Sequence, residues 1–313
     1  MNRLMLLDSA SMYFRAFYGV PDRFHGRDGT PTNAVRGFLD AIARSITQFA
    51  PDELIACWDD DWRPAFRVAL VPSYKAHRVV TGSTDDARTT ADDTTSEEEI
   101  PDALQVQEPI MRDVLAAIGI ARVGSAGFEA DDVIAHYARG HRGPVDIVSG
   151  DRDLFQLVDD ARAVRVIYTA KGMNNLQLAT DEWLRDKYGV TGHQYADMSL
   201  LRGDSSDGLP GVVGVGEKTA ASLVDRFGGI EAIMAAAAAD DSTIAPGLRR
   251  KLLTAAEYIT AADQVVRLTQ PVPVPDVDPQ LPAQPADPDA LVDLADRFDL
   301  DGPINRLLGA LRV

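Results

Sequence analysis

Short apolar runs separated by segments with helical spacing constrain this chain more than any other feature. Residues 4–7, 54–58 and 145–148 have the length and composition of buried strands, and 33–49 has the spacing of an amphipathic helix. Strands that alternate with helices predict an α/β fold with a mostly parallel sheet flanked by helices. Because the carboxyl ends of parallel strands lie at one edge of a sheet, side chains that follow the runs are expected to meet there.

Acidic residues follow these runs and also open a predicted helix at 129–137. The candidates for one shared site are Asp8, Asp59 or Asp60, Glu129, Asp131, Asp132, Asp151, Asp153, Asp204 and Asp207. So many carboxylates cannot ionise together without cations, and hard divalent ions with oxygen ligands, Mg²⁺ or Mn²⁺, suit them. Two such ions about 4 Å apart are typical of phosphodiester cleavage. The competing interpretation is a set of solvated surface acids and helix caps.

A glycine-punctuated stretch at 200–223 joins two of these acids to a second kind of site. Asp204 and Asp207 precede a turn that contains Gly211, Gly214 and Gly216 and runs into Lys218-Thr219 and a helix. Glycines let the backbone approach a ligand closely, and a helix N-terminus offers free N–H groups to a phosphate. The stretch therefore predicts a phosphate site beside a cation site, although similar sequences also cap ordinary helix hairpins.

Composition divides the chain and limits its function classes. Residues 83–99 are polar and acidic and predict a flexible insertion, and the proline-rich passage at 270–289 resembles a linker. Helices are expected at 291–298 and 304–311, with Gly302-Pro303 breaking them apart. The single cysteine, Cys57, excludes an internal disulfide and is expected to be buried. No apolar run reaches the roughly 18 residues of a membrane span, so we expect a cytoplasmic protein without membrane contact.

The net charge of −17 argues against nucleic-acid binding unless the acids gather at a metal site and cations line the substrate path. Such cations are available. Lys75 and Arg78 lie one helical turn apart after the second run, Arg15 lies two turns after Asp8, and Lys218 follows the glycine turn.

These motifs together resemble the bacterial and phage 5′ nucleases, a flap endonuclease-like family that includes the N-terminal domain of DNA polymerase I. The matching pieces are LLDSASMYFRAF at 6–17, WDDDWRPAFR at 58–67, YKAHR at 74–78, FEADDVIA at 128–135, SGDRDLFQL at 149–157 and LRGDSSDGLPGVVGVGEKTAASL at 201–223. They occur in the family's order and span nearly the whole chain, so we expect a stand-alone, monomeric member.

The resemblance implies a PIN-like nuclease domain at 1–180, with the 83–99 insertion in its gateway or arch. It further implies an all-helical helix-3-turn-helix module at 181–265, followed by a linker and packed C-terminal helices at 266–313. Within the nuclease domain, Lys75 and Arg78 would polarise the scissile phosphate and Arg15 would contact DNA. The module would hold duplex phosphates through Gly214, Gly216, Lys218 and Thr219, with a K⁺ ion at the 211–216 hairpin.

The resemblance also assigns the acids to metals. The first ion would take Asp8, Asp60, Glu129 and Asp131, with Asp132 close by; the second would take Asp131, Asp151, Asp153 and Asp204, with Asp207 as an outer ligand. Asp59 and Asp60 are both eligible because of an extra residue in this motif, and counting back from Phe66-Arg67 favours Asp60. Gly208 stands where the family usually has Asn, which is expected to loosen the turn that holds Asp207.

The implied function is metal-dependent cleavage of DNA at 5′ flaps, nicks or 5′ ends in replication or repair. One alternative is a branched-DNA binding protein with weak catalysis. The other is a PIN-type ribonuclease, a class that normally lacks the long helical module.

Overall fold

One six-stranded sheet organises the first part of the chain. The computed structural model describes residues 1–79 and 101–311, so the predicted 83–99 insertion lies outside the described residues. The strands are β1 (Leu4–Asp8), β2 (Glu53–Cys57), β3 (Ala121–Val123), β4 (Val145–Ser149), β5 (Val164–Tyr168) and β6 (Gln177–Ala179). Their order is β3-β2-β1-β4-β5-β6, and only β6 runs antiparallel to its neighbour. The predicted parallel sheet is confirmed.

Helices flank this sheet and form all the regular structure after it. They are α1 (Ser9–Gly19), α2 (Asn33–Phe49), α3 (Ala65–Leu70), α4 (Asp102–Gln105), α5 (Glu108–Ile118), α6 (Ala130–Gly140), α7 (Asp181–Tyr188), α8 (Gly192–Arg202), α9 (Glu217–Phe227), α10 (Ile230–Ala238), α11 (Pro246–Thr254), α12 (Ala256–Val266), α13 (Pro288–Phe298) and α14 (Asp301–Leu311). In the described part of the chain, none is long and apolar enough to cross a membrane.

The central strand β1 is buried on both faces, which explains its unbroken apolar sequence. Successive side chains of a strand point to opposite faces. Leu4 and Leu6 accordingly join a core with α6 and the later helices, whereas Met5 and Leu7 join a second core with α2, α5 and the C-terminal helices. Cys57 belongs to the first core and is fully buried, as expected.

The helices after the sheet are tied to it through α12, which contacts both α3 and α8. The C-terminal helices return to the sheet's other side, where α13 contacts α5 and α14 contacts α2. The predicted break at Gly302-Pro303 is wrong, because both residues lie in the first turn of α14. Proline is tolerated there since the first N–H groups of a helix have no intrahelical acceptor. The chain reverses instead at Asp299, whose φ is +53°.

Two strands escaped the sequence pattern because they are short. β3 and β6 have 3 residues each and lie at the two edges of the sheet. They are strands because they pair with β2 and β5, not because their own sequences alternate between apolar and polar residues. Ala255 lies between α11 and α12 and ends one helix where the next begins.

Candidate active site

A pocket of about 210 Å³ opens at the carboxyl ends of β1, β2 and β4. Acids from five separate positions line it, together with two cations. The acids are Asp8, Asp59, Glu129, Asp131 and Asp151, and the cations are Lys75 and Arg78. We call this the acid pocket. The parallel sheet delivers these side chains to one edge, as the strand-end pattern predicted.

Asp8 ends β1 and caps α1, so its carboxylate is held at the floor of the acid pocket. One oxygen accepts from Ser11 N at 3.1 Å and the other from Ser149 Oγ at 2.5 Å. Burial, and then the nearby charges of Asp59 and Asp151, raise the pKa of Asp8 to about 7 despite these bonds. The group is therefore a carboxylate whose charge the protein alone does not compensate.

The second strand places Asp59, rather than Asp60, in the acid pocket. Ala130 N donates to Asp59 Oδ1 at 2.6 Å, which holds that carboxylate beside the first turn of α6. Asp60 turns away toward Arg122, at 3.7 Å, and packs so closely on Gly124 that a Cβ there would collide with it. Counting residues favoured Asp60 but cannot show which way successive side chains point after β2, so the identity of the ligand stays a prediction.

Arg67 of α3 is a buried cation that binds two of the predicted metal ligands. It donates to Glu129 Oε2 at 2.5 Å and, in a fork, to both oxygens of Asp132 at 2.7 and 2.8 Å. Asp132 is thus an ion-pair partner behind the acid pocket, where it does not face the other acids. Glu129 faces the pocket while also accepting from Tyr74 OH at 2.7 Å and from Lys75 Nζ.

Asp131 and Asp151 face each other across the acid pocket. Burial and the charges of Asp151 and Asp8 raise the pKa of Asp131 well above its usual value. Asp151 sits in the turn after β4, where its backbone N donates to Ser149 Oγ at 2.8 Å. Its carboxylate charge also raises the pKa values of Asp153 and Asp207. Asp151 therefore acts electrostatically both on the acid pocket and on a second group of acids that includes Asp153 and Asp207.

A second acid group lies beside the first and contains Asp153, Asp204 and Asp207. Burial and then Asp151 raise the pKa of Asp153, with smaller effects from the other two acids. Burial raises the pKa of Asp207 to about 6, although the charge of Lys75 opposes the shift. Asp204 is buried and lines a neighbouring cleft of about 600 Å³ with Arg152, Arg202, Gly203, Pro210 and Glu217. We call this cleft the hairpin groove.

Lys75 and Arg78 connect the two acid groups, although they do not share an α-helix face as predicted. Lys75 has φ +48°, and only a short 3-10 helix follows it at Ala76–Arg78. The Lys75 ammonium contacts Glu129, its backbone N donates to Asp207 O at 2.9 Å, and Arg78 donates to Asp207 Oδ1 at 3.2 Å. The cations nonetheless meet in the acid pocket, because the segment is anchored at both ends.

Gly208 permits this close packing and does not loosen the turn as expected. Its φ is +68°, and a Cβ there would collide with the carbonyl oxygen of Ser73. Ser73 Oγ donates to Gly208 O at 2.7 Å. The loop that carries Asp207 is therefore fixed against the segment that carries Lys75.

The donor set fits divalent cations in chemistry. Every side chain that could ligate in the acid pocket offers carboxylate oxygen, which is the ligand type of Mg²⁺ and Mn²⁺. Among residues 1–79 and 101–311, however, no three Asp, Glu, His or Cys side chains are arranged closely enough to hold an ion as they stand.

The glycine hairpin forms as a turn between α8 and α9. Gly214 has φ +72°, Gly216 is the N-cap of α9, and both are exposed together with Lys218 and Thr219. Lys251 Nζ reaches the hairpin and donates to Gly214 O at 3.3 Å. This contact joins residues 37 positions apart, so no local pattern in the sequence indicates it.

Arg15 lies beside the turn after β4. Its Nη1 donates to Ala170 O at 3.1 Å, its guanidinium packs against Gly150, and its buried Nε has no hydrogen-bond partner. The side chain is thus placed at the rim of the acid pocket, two helical turns from Asp8 as the spacing predicted.

Comparison with known proteins now places the chain in a family. Residues 3–189 match the model of the 5′-3′ exonuclease N-terminal resolvase-like domain, and residues 190–289 match the 5′-3′ exonuclease C-terminal SAM fold. A 5′-3′ exonuclease of Streptomyces coelicolor is 53% identical over 307 residues, covering 98% of this chain and 99% of that protein. The chain belongs to the 5′-3′ exonuclease family. The predicted membership and the assignment to nucleases are thereby confirmed.

Solved structures agree on the fold of this family. A phage T5 protein co-crystallised with metal ions superposes with a TM-score of 0.64 at 19% identity, and 99% of each chain is covered. A phage T5 flap endonuclease in a complex with DNA and metal ions gives 0.61 at 17% identity, covering 99% of this chain and all of that one. The α/β domain followed by a helical module is therefore confirmed as the family's architecture.

Proposed function

We propose that this protein is a divalent-metal-dependent 5′ nuclease that cleaves DNA at 5′ flaps, nicks or 5′ ends during replication or repair. The observation that carries the proposal is the acid pocket, where five carboxylates from four places in the chain converge with two cations at one sheet edge. A merely structural set of caps would satisfy its acids internally. Here burial, and after it the charges of neighbouring acids, raise the pKa values of Asp8 and Asp131, so a bound cation would favour their charged forms.

We propose that the acids divide between at least two Mg²⁺ or Mn²⁺ sites that share Asp151. Asp8, Asp59, Glu129 and Asp131 would hold one ion, and Asp153 and Asp204 the other, with Asp207 further out. Bound ions of this kind activate water and stabilise the leaving oxygen of a phosphodiester. Asp60 and Asp132 are left out of these sets because one turns to Arg122 and the other pairs with Arg67.

The cations around the acid pocket then have distinct tasks. Lys75 and Arg78 line the pocket and would offset charge that develops on the scissile phosphate. Each is oriented by an acid, Lys75 by Glu129 and Arg78 by Asp207, so neither must be ordered when substrate arrives. Arg15, whose guanidinium packs against Gly150 of the pocket lining, would hold a neighbouring phosphate.

The glycine hairpin would hold the duplex away from the cut. Gly214 and Gly216 leave its backbone accessible, and Lys218 and Thr219 stand exposed in the first turn of α9. Such contacts fix position without reading sequence. We place a K⁺ ion at 211–216 in this proposal, where the carbonyl of Gly214 already attracts the ammonium of Lys251.

The division of labour follows the fold. We propose a nuclease domain at 1–180 and a DNA-holding helical module at 181–265, with 266–313 bracing the body through α13 and α14. We further propose that the protein acts as a monomer in the cytoplasm.

The test is cleavage of 5′-labelled flap DNA with Mg²⁺, with Mn²⁺ and with EDTA. The proposal expects short labelled products with either metal and none with EDTA. Binding of the flap without cleavage under any metal would leave only the binding-protein alternative. Cleavage restricted to RNA strands would favour the ribonuclease alternative.

A further inference from the structure

We propose that Arg152 and Lys187 form a phosphate clamp at the hairpin groove that grips the DNA backbone between the acid pocket and the glycine hairpin. This inference rests on the proposed function, and it assigns a binding role to two cations outside the acid pocket. The ligand class is the phosphodiester backbone of DNA, recognised by charge.

Lys187 presents its ammonium on an aromatic platform at the surface. The Nζ atom lies 4.3 Å from the ring centre of Trp183 and 5.0 Å from that of Tyr188. The charge of Glu217 reaches Lys187, but that carboxylate is ion-paired with Arg202 at 3.1 Å. Rings orient a cation without neutralising its charge, so the ammonium remains available to an anion.

Arg152 brings a second positive charge to the same place. Its side chain is 41% exposed, and its ion pair with Asp204 is a loose one at 3.8 Å. The charge of Arg152 also acts on Tyr188, whose ring supports Lys187, so both cations lie beside that side chain. Burial and then the charge of Arg152 lower the pKa of Lys187, which records the repulsion between them. A phosphate placed between the two would relieve that repulsion.

The position of the pair explains what would bind there. Arg152 lies between Asp151, which lines the acid pocket, and Asp153, and it also lines the hairpin groove. Pro210 lines that groove immediately before the hairpin. A DNA strand that runs along this groove from the acid pocket to the hairpin would therefore pass Arg152, whose charge acts on the neighbouring Lys187. In a chain of net charge −17, such local positive charge is what makes a backbone path possible.

The experiment compares Lys187→Ala with Arg142→Ala, which removes the same charge from an exposed cation before β4, at the opposite ends of the strands. Affinity for flap DNA is measured in EDTA across a salt series, so that cleavage and metal binding do not contribute. Lys187→Ala should weaken binding roughly three- to ten-fold and flatten the salt dependence by about one unit of slope. Lys187→Arg should keep the slope, and Arg152→Gln should reproduce the loss.

A slope for Lys187→Ala equal to that of wild type and Arg142→Ala would overturn the clamp. A purely structural role of Lys187 on its rings would lower the midpoint of thermal unfolding and leave the slope unchanged, which also overturns it. Wild-type cleavage of flap DNA in Mg²⁺ is scored separately. Cleavage with an unchanged Lys187→Ala slope would refute the clamp alone, whereas absence of wild-type binding and cleavage would refute the proposed function.

Discussion

Replacing Arg67 with methionine should destabilise the protein more than any exposed ion-pair substitution. The side chain is 2% exposed and its two carboxylate partners, Glu129 and Asp132, are 6% and 1% exposed. Methionine fills much of the volume but leaves both carboxylates without the guanidinium. Removing one partner of a buried ion pair costs about 3–5 kcal/mol, because the remaining charge is buried and uncompensated. The bond from Arg67 Nε to Val265 O at 3.1 Å is lost as well, and with it a tie between α3 and α12.

Urea unfolding, followed by circular dichroism, measures this loss as a change in the free energy of unfolding. Arg297→Met is the matched control, because its pair with Asp28 is exposed and such pairs contribute about 0–1 kcal/mol. Arg67→Lys should recover part of the loss, since lysine keeps the charge but cannot make the fork to Asp132. A loss below about 1 kcal/mol for Arg67→Met would refute the reasoning that this cation compensates both acids.

Three further predictions concern the acid pocket. Asp59→Asn should lower flap cleavage at least about 10²-fold while Asp60→Asn stays near wild type, and the reverse order in a single-turnover assay would restore Asp60 as the ligand. Asp131→Asn should raise the thermal midpoint in EDTA at pH 8 by roughly 2 °C or more, because it removes a charge from a repelling set. Since the folded-state pKa of Asp131 is raised, the wild-type carboxyl becomes neutral as pH falls, so the gain should shrink by pH 5 and saturating Mg²⁺ should abolish it. Lys75→Ala should slow single-turnover cleavage about ten-fold or more, about 1.4 kcal/mol in barrier, and an unchanged rate at saturating enzyme would exclude Lys75 from the chemistry.

The parts of the fold that depend on local pattern could be predicted from the sequence. Residues 4–7 of β1 are apolar because the strand is buried on both faces, and Asp8 is the acid at its carboxyl end. β3 and β6 could not be found, because at 3 residues their existence depends on pairing with β2 and β5. Long-range pairing leaves no periodic signal in so short a segment.

The candidate site was predictable as a set of acids but not in its division of roles. Glu129 and Asp132 are three residues apart, but the sequence does not indicate the cation that binds both of them. That cation is Arg67, which lies 62 residues before Glu129. The choice between Asp59 and Asp60 depended on a backbone turn that spacing does not encode. No role for Lys187 could be predicted from the sequence, because its partners are aromatic rings that only the tertiary fold brings together.

The central claim is that the strand-end acids act in catalysis rather than in stability or DNA binding. In this proposal Asp151 is shared by the two metal sites. The most direct test is single-turnover cleavage of 5′-labelled flap DNA by Asp151→Asn at saturating Mg²⁺, with affinity measured in parallel in EDTA. Asp225→Asn, an exposed acid of α9, controls for the charge change. The account predicts a loss of at least about 10²-fold in rate for Asp151→Asn, with affinity unchanged or tighter because one negative charge beside the phosphates is gone. Wild-type turnover by Asp151→Asn would contradict it.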